Sequence, residues 1–196
     1  EIGRYPAAED VLAEAVAAKH GLDPSQVVFG TGADATIAML TRAFLGVDDD
    51  AVFAWPSFSS YPIYAAQVGG RVTKVPLVDG THDLEAMLAA VSGRTSLLFV
   101  CNPNNPTGTV VKRDALMRLV DRLPAQVLLV VDEAYREYVR DPDVADAVRE
   151  LVEPGHPQVV ALRTFSKIHG LAGLRVGWAS GPAAVIDALA RVRGPF

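Results

Sequence analysis

Short apolar runs and amphipathic stretches alternate along the whole chain. The runs have the length of strands, and the stretches between them place apolar residues at helical spacing. Predicted strands lie at residues 27–29, 51–55, 71–77, 96–101, 126–131, 159–162 and 175–179. Predicted helices lie at residues 9–19, 35–45, 83–91, 113–123, 144–152 and 183–192. The alternation predicts an α/β fold, a three-layer αβα sandwich around a mostly parallel seven-stranded sheet.

Composition narrows the possible functions. Half of the 196 residues are hydrophobic, as in a globular chain, and no repeat or linker divides the sequence. The net charge of -5 comes without a basic patch, so nucleic acid is not an expected partner. No apolar run reaches the length of a membrane span. The single cysteine, Cys101, ends an apolar run and is predicted to pack in the core of a cytoplasmic protein.

Ligands of such sheets bind beyond the carboxyl ends of the strands, so we expect chemistry to follow the apolar runs. Residues 30–34, Gly-Thr-Gly-Ala-Asp, follow the first run and open a helix whose free N–H groups form an anion site. Their spacing matches neither a dinucleotide-binding fingerprint nor a Walker A loop. Trp55, Phe58 and Tyr61 follow the second run, where aromatic rings either stack on a flat heterocycle or pack in the core.

Two further strand ends carry amides and carboxylates. Residues 102–108, Asn-Pro-Asn-Asn-Pro-Thr-Gly, predict a rigid turn with specifically directed amide side chains. Asp132 ends the fifth run and is followed by Glu133, Ala134 and Tyr135. A carboxylate in this position also holds magnesium in nucleotide hydrolases, but no Walker A motif accompanies it here. Asp132 is therefore predicted to be the partner of a buried cation.

The sixth run leads directly into a loop that contains Lys167. A lysine is costly to desolvate, but a desolvated amine deprotonates more readily and can form an imine with an aldehyde. Arg175 follows in the same loop, and its guanidinium suits bidentate recognition of a phosphate. Together the strand ends provide a partner for every polar part of pyridoxal phosphate (PLP).

Five segments in this order resemble the fold-type I PLP-dependent aminotransferases of class I and II, most of all the histidinol-phosphate and aromatic aminotransferases. The segments are Arg4-Tyr5-Pro6, Gly32-Ala33-Asp34, Asn105-Pro106-Thr107-Gly108, Asp132-Glu133-Ala134-Tyr135 and Ser166-Lys167 through Leu174-Arg175. The resemblance implies that residues 1–196 are the PLP-binding large domain. Most of the N-terminal arm and the C-terminal small domain are then expected outside this chain, and a first residue other than methionine agrees with a fragment.

The resemblance also implies a role for each residue around the cofactor. Lys167 would hold PLP as an imine and move the proton, and Asp132 would keep the pyridine nitrogen protonated. Asn105 and Tyr135 would hydrogen-bond the phenolic oxygen, and Phe58 would stack on the ring. The phosphate would be held by several strand ends and by the neighbouring subunit of a homodimer: Gly32, Ala33, Asp34, Thr164, Ser166, Arg175 and, across the interface, Tyr5.

The implied activity is transfer of an amino group from an amino acid or amino phosphate to a 2-oxo acid. Histidinol phosphate or an aromatic amino acid is the favoured donor. Decarboxylation and carbon–sulfur elimination use the same fold in related families and stay open as alternatives, as does a non-catalytic PLP-fold binding protein. His20, His82 and His156 lack ligand spacing, so no metal site is predicted.

Overall fold

A computed structural model describes residues 11–194 and contains a seven-stranded sheet. Tyr5 and its neighbours Arg4 and Pro6 lie outside the described residues. The strands are Val27–Thr31 (β1), Asp50–Trp55 (β2), Arg71–Pro76 (β3), Thr95–Cys101 (β4), Leu128–Asp132 (β5), Val159–Thr164 (β6) and Val176–Ser180 (β7). The α-helices are Val11–His20 (α1), Ala33–Phe44 (α2), Ser60–Gln67 (α3), Leu84–Ala89 (α4), Arg113–Arg122 (α5) and Ala183–Val192 (α6).

The order of strands across the sheet is β1-β7-β6-β5-β4-β2-β3. Neighbouring strands from β6 to β3 run parallel, whereas β7 is antiparallel to both β1 and β6. Because β7 runs against the others, it begins at the edge of the sheet where they end. Arg175, directly before β7, therefore lies at the carboxyl edge even though it stands at the start of a strand.

Helices cover both faces of the sheet. One core cluster joins the sheet to α1, α4 and α5 through buried residues such as Met87 and Leu116. A second cluster joins the opposite face to α2, α3 and α6 through residues such as Ile37 and Leu189. Each such buried side chain contributes about 1.5–3 kcal/mol. The central strand β5 is buried along its whole length, which explains its apolar sequence on both faces. The predicted three-layer αβα architecture is confirmed.

Helix α3 is absent from the sequence prediction. Its sequence, Ser-Tyr-Pro-Ile-Tyr-Ala-Ala-Gln, has no clear amphipathic spacing and contains weak helix formers. Tertiary packing forms the helix instead, because Tyr61 and Ala65 are buried against the sheet. The local sequence pattern does not determine the conformation of this segment, and contacts with distant residues stabilise it as a helix.

The helix predicted over residues 144–152 is wrong in extent and type. Only a five-residue π-helix forms there, Val148–Val152. The Asp146 carboxylate accepts a hydrogen bond from the Arg149 N–H, and such a side-chain bond favours a helix start over a helix interior. The other predicted elements differ at their ends, as when β5 starts at Leu128 instead of residue 126. No helix among residues 11–194 is long and apolar enough to cross a membrane.

Candidate active site

A pocket at the carboxyl edge of the sheet collects residues from segments that are far apart in the sequence. Its lining residues are Ala33, Asp34, Phe58, Cys101, Asn105, Asp132, Ala134, Tyr135, Thr164, Ser166, Lys167 and Arg175. Every predicted site residue in the described part of the chain is among them except Gly32, which lies against the Arg175 guanidinium. Their roles in binding stay predictions.

Asp132 ends β5 with its side chain almost fully buried. Each carboxylate oxygen has one donor: Tyr61 OH donates to Oδ2 at 2.7 Å, and the Ala134 N–H donates to Oδ1 at 3.1 Å. Burial raises the pKa of Asp132, while the hydrogen bond from Tyr61 opposes that rise. Lys167 lowers the pKa of Asp132 electrostatically, but within residues 11–194 no basic side chain forms a salt bridge with this carboxylate.

Lys167 occupies the loop after β6 and shares the pocket with Asp132. Its Nζ lies 5.0 Å from the centre of the Tyr135 ring, within the range of a cation–π contact. The loop folds back on itself, since the Gly170 N–H donates to the Lys167 carbonyl and the Leu171 N–H to the Phe165 carbonyl. A primary amine and a buried carboxylate thus line the same pocket.

The opposite end of the pocket presents hydrogen-bond donors. Helix α2 begins after Gly32, at φ 84°, and no side chain caps its first N–H groups. A Cβ on Gly32 would lie 2.6 Å from the Arg175 guanidinium, and side chains rarely adopt the positive φ of this residue, so glycine suits both the conformation and the approach of Arg175. Arg175 itself has a left-handed backbone, at φ 54°, a conformation that costs on the order of 1 kcal/mol or more and clusters at binding sites. Its Nη1 lies 3.4 Å from Ser166 Oγ.

Gly177, which the sequence pattern did not single out, sets the position of this helix. A Cβ at residue 177 would lie 2.0 Å from the Ala33 nitrogen, which no real structure tolerates. The first turn of α2 therefore rests directly on the backbone of β7. A glycine inside a strand pattern is the signal that could have indicated such a close approach.

The aromatic residues after β2 have three different environments. Phe58 lines the pocket. Tyr61 is fully buried and stacks on Phe99 with ring centres 4.7 Å apart, while Phe58 meets it edge-on. Trp55 lies under the Lys74 ammonium, 4.4 Å from its ring centre. Among the three, only Phe58 is in a position to stack on a ligand in this pocket.

The amides of the turn at residues 102–108 also divide into two groups. Asn102 bridges to Val111, accepting from its N–H at 3.0 Å and donating to its carbonyl at 3.2 Å. Asn104 donates to Thr107 Oγ1 at 2.8 Å and accepts from Ser57 Oγ at 2.8 Å. Both amides stabilise the turn itself, and Asn105 is the one that lines the pocket.

A buried ion pair lies on the opposite face of the sheet. Glu133 Oε2 accepts from Arg163 Nε and Nη2 at 3.0 and 2.9 Å, and Glu133 Oε1 accepts from the Ala147 N–H at 2.8 Å. Arg163 also donates to Asp146 at 2.6 Å. Burial raises the pKa of Glu133 to about 7 against the attraction of Arg163. The network joins Glu133, which follows Asp132 in the chain, to Arg163, which precedes Thr164. The sequence pattern did not predict it.

The pocket combines complementary chemistry at its two ends. The Arg175 guanidinium, hydroxyl groups and a helix start suit an anion, and the Asp132 carboxylate suits a cation. Phe58 offers a flat apolar surface, and Lys167 offers a nucleophilic amine. Among residues 11–194 no group of three or more His, Cys, Asp or Glu side chains is arranged to hold a metal ion.

Comparison with known proteins identifies the family. The model of the family "Aminotransferase class I and II" matches residues 1–196, the whole sequence. The chain belongs to this family. It is 47% identical to a histidinol-phosphate aminotransferase of Dinoroseobacter shibae, over 100% of this chain and 54% of that protein. It is also 47% identical to an aromatic amino acid aminotransferase of Streptomyces avermitilis, over 98% of this chain and 54% of that protein.

The solved structures show the same architecture. The crystal structure of histidinol-phosphate aminotransferase from Sinorhizobium meliloti, in complex with pyridoxal-5'-phosphate, matches with a TM-score of 0.87 at 31% identity. The match covers 93% of this chain and 49% of that one. The chain thus spans about half the length of the relatives that it matches.

Proposed function

We propose that this chain is the PLP-binding large domain of an aminotransferase. The observation that carries the proposal is a buried carboxylate without a salt-bridge partner, Asp132, in the same pocket as Lys167. An ionised buried carboxylate needs a positive partner, and a protonated pyridine nitrogen is such a partner. The primary amine next to it suits covalent attachment of an aldehyde.

The remaining pocket residues fit the other parts of PLP. The phosphate suits the N–H groups of Ala33 and Asp34 together with Thr164, Ser166 and Arg175, because helix starts and guanidinium groups bind such anions. Gly32 allows Arg175 to approach this site. Bound here, PLP would supply an electron-poor ring that stabilises negative charge on the carbon next to the amino group of the donor.

The side chains of this chain then have separate tasks in the reaction. Asp132 keeps the proton on the ring nitrogen and so preserves the electron demand of the ring. Lys167 Nζ would hold the cofactor and then, as a free amine, would move the proton between the reacting carbon of the donor and the cofactor. Asn105 and the Tyr135 hydroxyl would donate hydrogen bonds to the phenolic oxygen. Phe58 would pack on one face of the ring.

The proposed reaction transfers an amino group from an amino acid or amino phosphate to a 2-oxo acid. Histidinol phosphate or an aromatic amino acid is the favoured donor, because the relatives at 47% identity are named for these activities. The relatives are about twice as long as this chain. We propose that the full-length enzyme also has an N-terminal arm and a small domain. A product panel tests the donor, since carbon dioxide or thiol release in place of amino transfer would indicate a decarboxylase or a lyase.

We also propose that the full-length protein forms a homodimer and is located in the cytoplasm. The loop after Lys167 exposes Ile168, Leu171 and Leu174, the last at 66%, and exposed apolar clusters are typical of interfaces. Tyr5 would reach the partner's phosphate site across it. Cys101 is a buried free thiol, which agrees with a reducing compartment. Sedimentation of the full-length protein tests the dimer, and a monomer that retains PLP and activity would contradict it.

The direct test of the function is Lys167→Ala in the full-length protein. We expect the visible absorbance of the covalently bound cofactor to disappear and kcat/KM to fall by about 10³-fold or more. After borohydride reduction of the wild type, peptide mass spectrometry is expected to find the cofactor on Lys167. Lys112→Ala, at an exposed lysine, serves as the control. Cofactor absorbance and amino transfer that both survive Lys167→Ala would overturn the proposal.

A further inference from the structure

Helix α3 contacts both carboxylates of the pocket with its hydroxyl groups. Tyr61 OH donates to Asp132 Oδ2 at 2.7 Å. Ser60 Oγ donates to Asp34 Oδ1, and Tyr64 OH donates to Asp34 Oδ2. None of these three hydroxyl-bearing residues lines the pocket. One short helix outside the pocket therefore determines how both of its acidic side chains are held.

At one end, Tyr61 acts on Asp132 from within the core. The tyrosine is fully buried and its ring is fixed by stacking on Phe99. A hydrogen bond from a fixed hydroxyl favours the ionised carboxylate and lowers its pKa, against the effect of burial. Together with the Ala134 N–H on the other oxygen, it fixes the orientation of the carboxylate before any ligand arrives.

At the other end, Asp34 presents a problem for anion binding. Asp34 is the second residue of α2, so its main-chain N–H belongs to the group that suits an anion. Its carboxylate, in contrast, would repel the same anion if it turned toward it. Ser60 and Tyr64 bind both carboxylate oxygens and direct them to α3. The hydrogen bond to Asp34 raises the pKa of the Tyr64 hydroxyl to about 12.

We propose that α3 is the positioning element for both ends of the pocket. Tyr61 directs Asp132 toward the cationic ring nitrogen of the ligand, and Tyr64 with Ser60 keeps the Asp34 carboxylate away from its phosphate. The inference rests on the proposed function, because it takes PLP as the ligand that carries both charges. The three residues act through the two aspartates and do not contact the ligand themselves.

The test separates the two ends with two fragments of the cofactor. Pyridoxine carries the ring without a phosphate, and inorganic phosphate carries the anion without a ring. Calorimetry with the ligand-free full-length protein, or competition against PLP, measures the binding of each. For Tyr61→Phe we expect about tenfold weaker binding of pyridoxine, the cost of one hydrogen bond to a charged group, and unchanged binding of phosphate.

The Ser60→Ala/Tyr64→Phe double variant is expected to show the opposite pattern. Its binding of inorganic phosphate weakens by about tenfold, because the released carboxylate of Asp34 regains its freedom to face the anion. Its binding of pyridoxine stays unchanged. Tyr138→Phe is the control, because it removes a tyrosine hydroxyl from an exposed ring, and it is expected to change neither affinity. Thermal unfolding checks the fold of every variant, and Ser60→Ala alone tests the phosphate end with a smaller perturbation.

The outcomes separate this inference from the function on which it rests. Equal weakening of both fragments in both variants, or no weakening in either, would show that α3 only packs against the sheet. A wild-type protein that binds neither fragment nor PLP would overturn the proposed function, and this inference with it.

Discussion

Asp132 and Glu133 are consecutive carboxylates at the end of β5, and they point to opposite faces of the sheet. Both are buried, and burial raises the pKa of each. Glu133 has its cation in the fold, since Arg163 donates two hydrogen bonds to it. Asp132 has only neutral donors, the Tyr61 hydroxyl and the Ala134 N–H.

The difference distinguishes a structural carboxylate from one held for a ligand. A fold that needs a buried charge only for stability includes the opposite charge beside it, as around Glu133. A buried carboxylate that is hydrogen-bonded and oriented but has no salt-bridge partner costs stability in the ligand-free protein. Such a cost is typical of functional sites, where the ligand completes the arrangement.

Arg163→Met is expected to destabilise the ligand-free protein by about 3–5 kcal/mol, because it leaves the buried carboxylate of Glu133 without its cation. Urea denaturation measures the change. The control is Arg122→Met, which breaks an exposed pair with Glu85 and is expected to cost less than about 1 kcal/mol. Equal effects of the two substitutions would show that the Glu133 network is not a structural ion pair.

Asp132→Asn is expected to lower kcat/KM by about 10²- to 10³-fold, since the electrostatic support of the ring nitrogen is lost. The same variant is expected to melt at an equal or higher temperature without ligand, because it removes a buried charge that has no salt-bridge partner. Glu133→Gln is expected to keep its activity within about tenfold of the wild type, because Glu133 does not line the pocket. Two variants with the same loss of activity and the same change in stability would contradict the distinction.

Gly177→Ala is expected to weaken phosphate binding at the start of α2 and to lower the free energy of unfolding by about 1–3 kcal/mol, because a new Cβ forces α2 away from β7. Denaturation and phosphate binding report the two effects. Gly93→Ala is the matched control, because a Cβ there meets no atom within 4 Å. A Gly177 variant that resembles the Gly93 variant in both measurements would mean that the close approach of α2 has no importance for the site.

The stability contributed by Glu133 is expected to depend on pH. Its folded pKa of about 7 lies above its ordinary value of 4.5, so protonation favours the folded state. This contribution is fully present below pH 4.5 and is lost as the pH rises through 7. The unfolding free energy of the wild type relative to Glu133→Gln is therefore expected to fall over this window. A difference that stays constant would mean that the pKa of Glu133 is not raised.

Much of the fold and of the pocket could be predicted from local sequence. The strands are apolar on both faces because helices cover both sides, and parallel topology brings their ends together. Asp132 and Lys167 could therefore be assigned to the same edge before any coordinates. Arg175 reaches that edge because β7 is antiparallel, which the apolar pattern does not reveal.

The contacts that position the site could not be predicted in this way. Tyr61 and Asp132 are 71 residues apart, and Glu133 and Arg163 are 30 residues apart. No periodicity links such pairs, because their proximity results from the packing of α3 and from the register of β5 and β6. Local chemistry thus indicates which residues contact a ligand, whereas tertiary packing decides what holds them.

The most direct measurement of the central claim is the protonation state of the ring nitrogen of bound PLP, followed by nitrogen-15 NMR of labelled cofactor in the full-length protein. We expect a protonated nitrogen at neutral pH in the wild type and in Glu133→Gln, and an unprotonated one in Asp132→Asn. A nitrogen that is unprotonated in the wild type, or equally protonated in all three proteins, would contradict the proposal that the Asp132 carboxylate binds the protonated ring nitrogen.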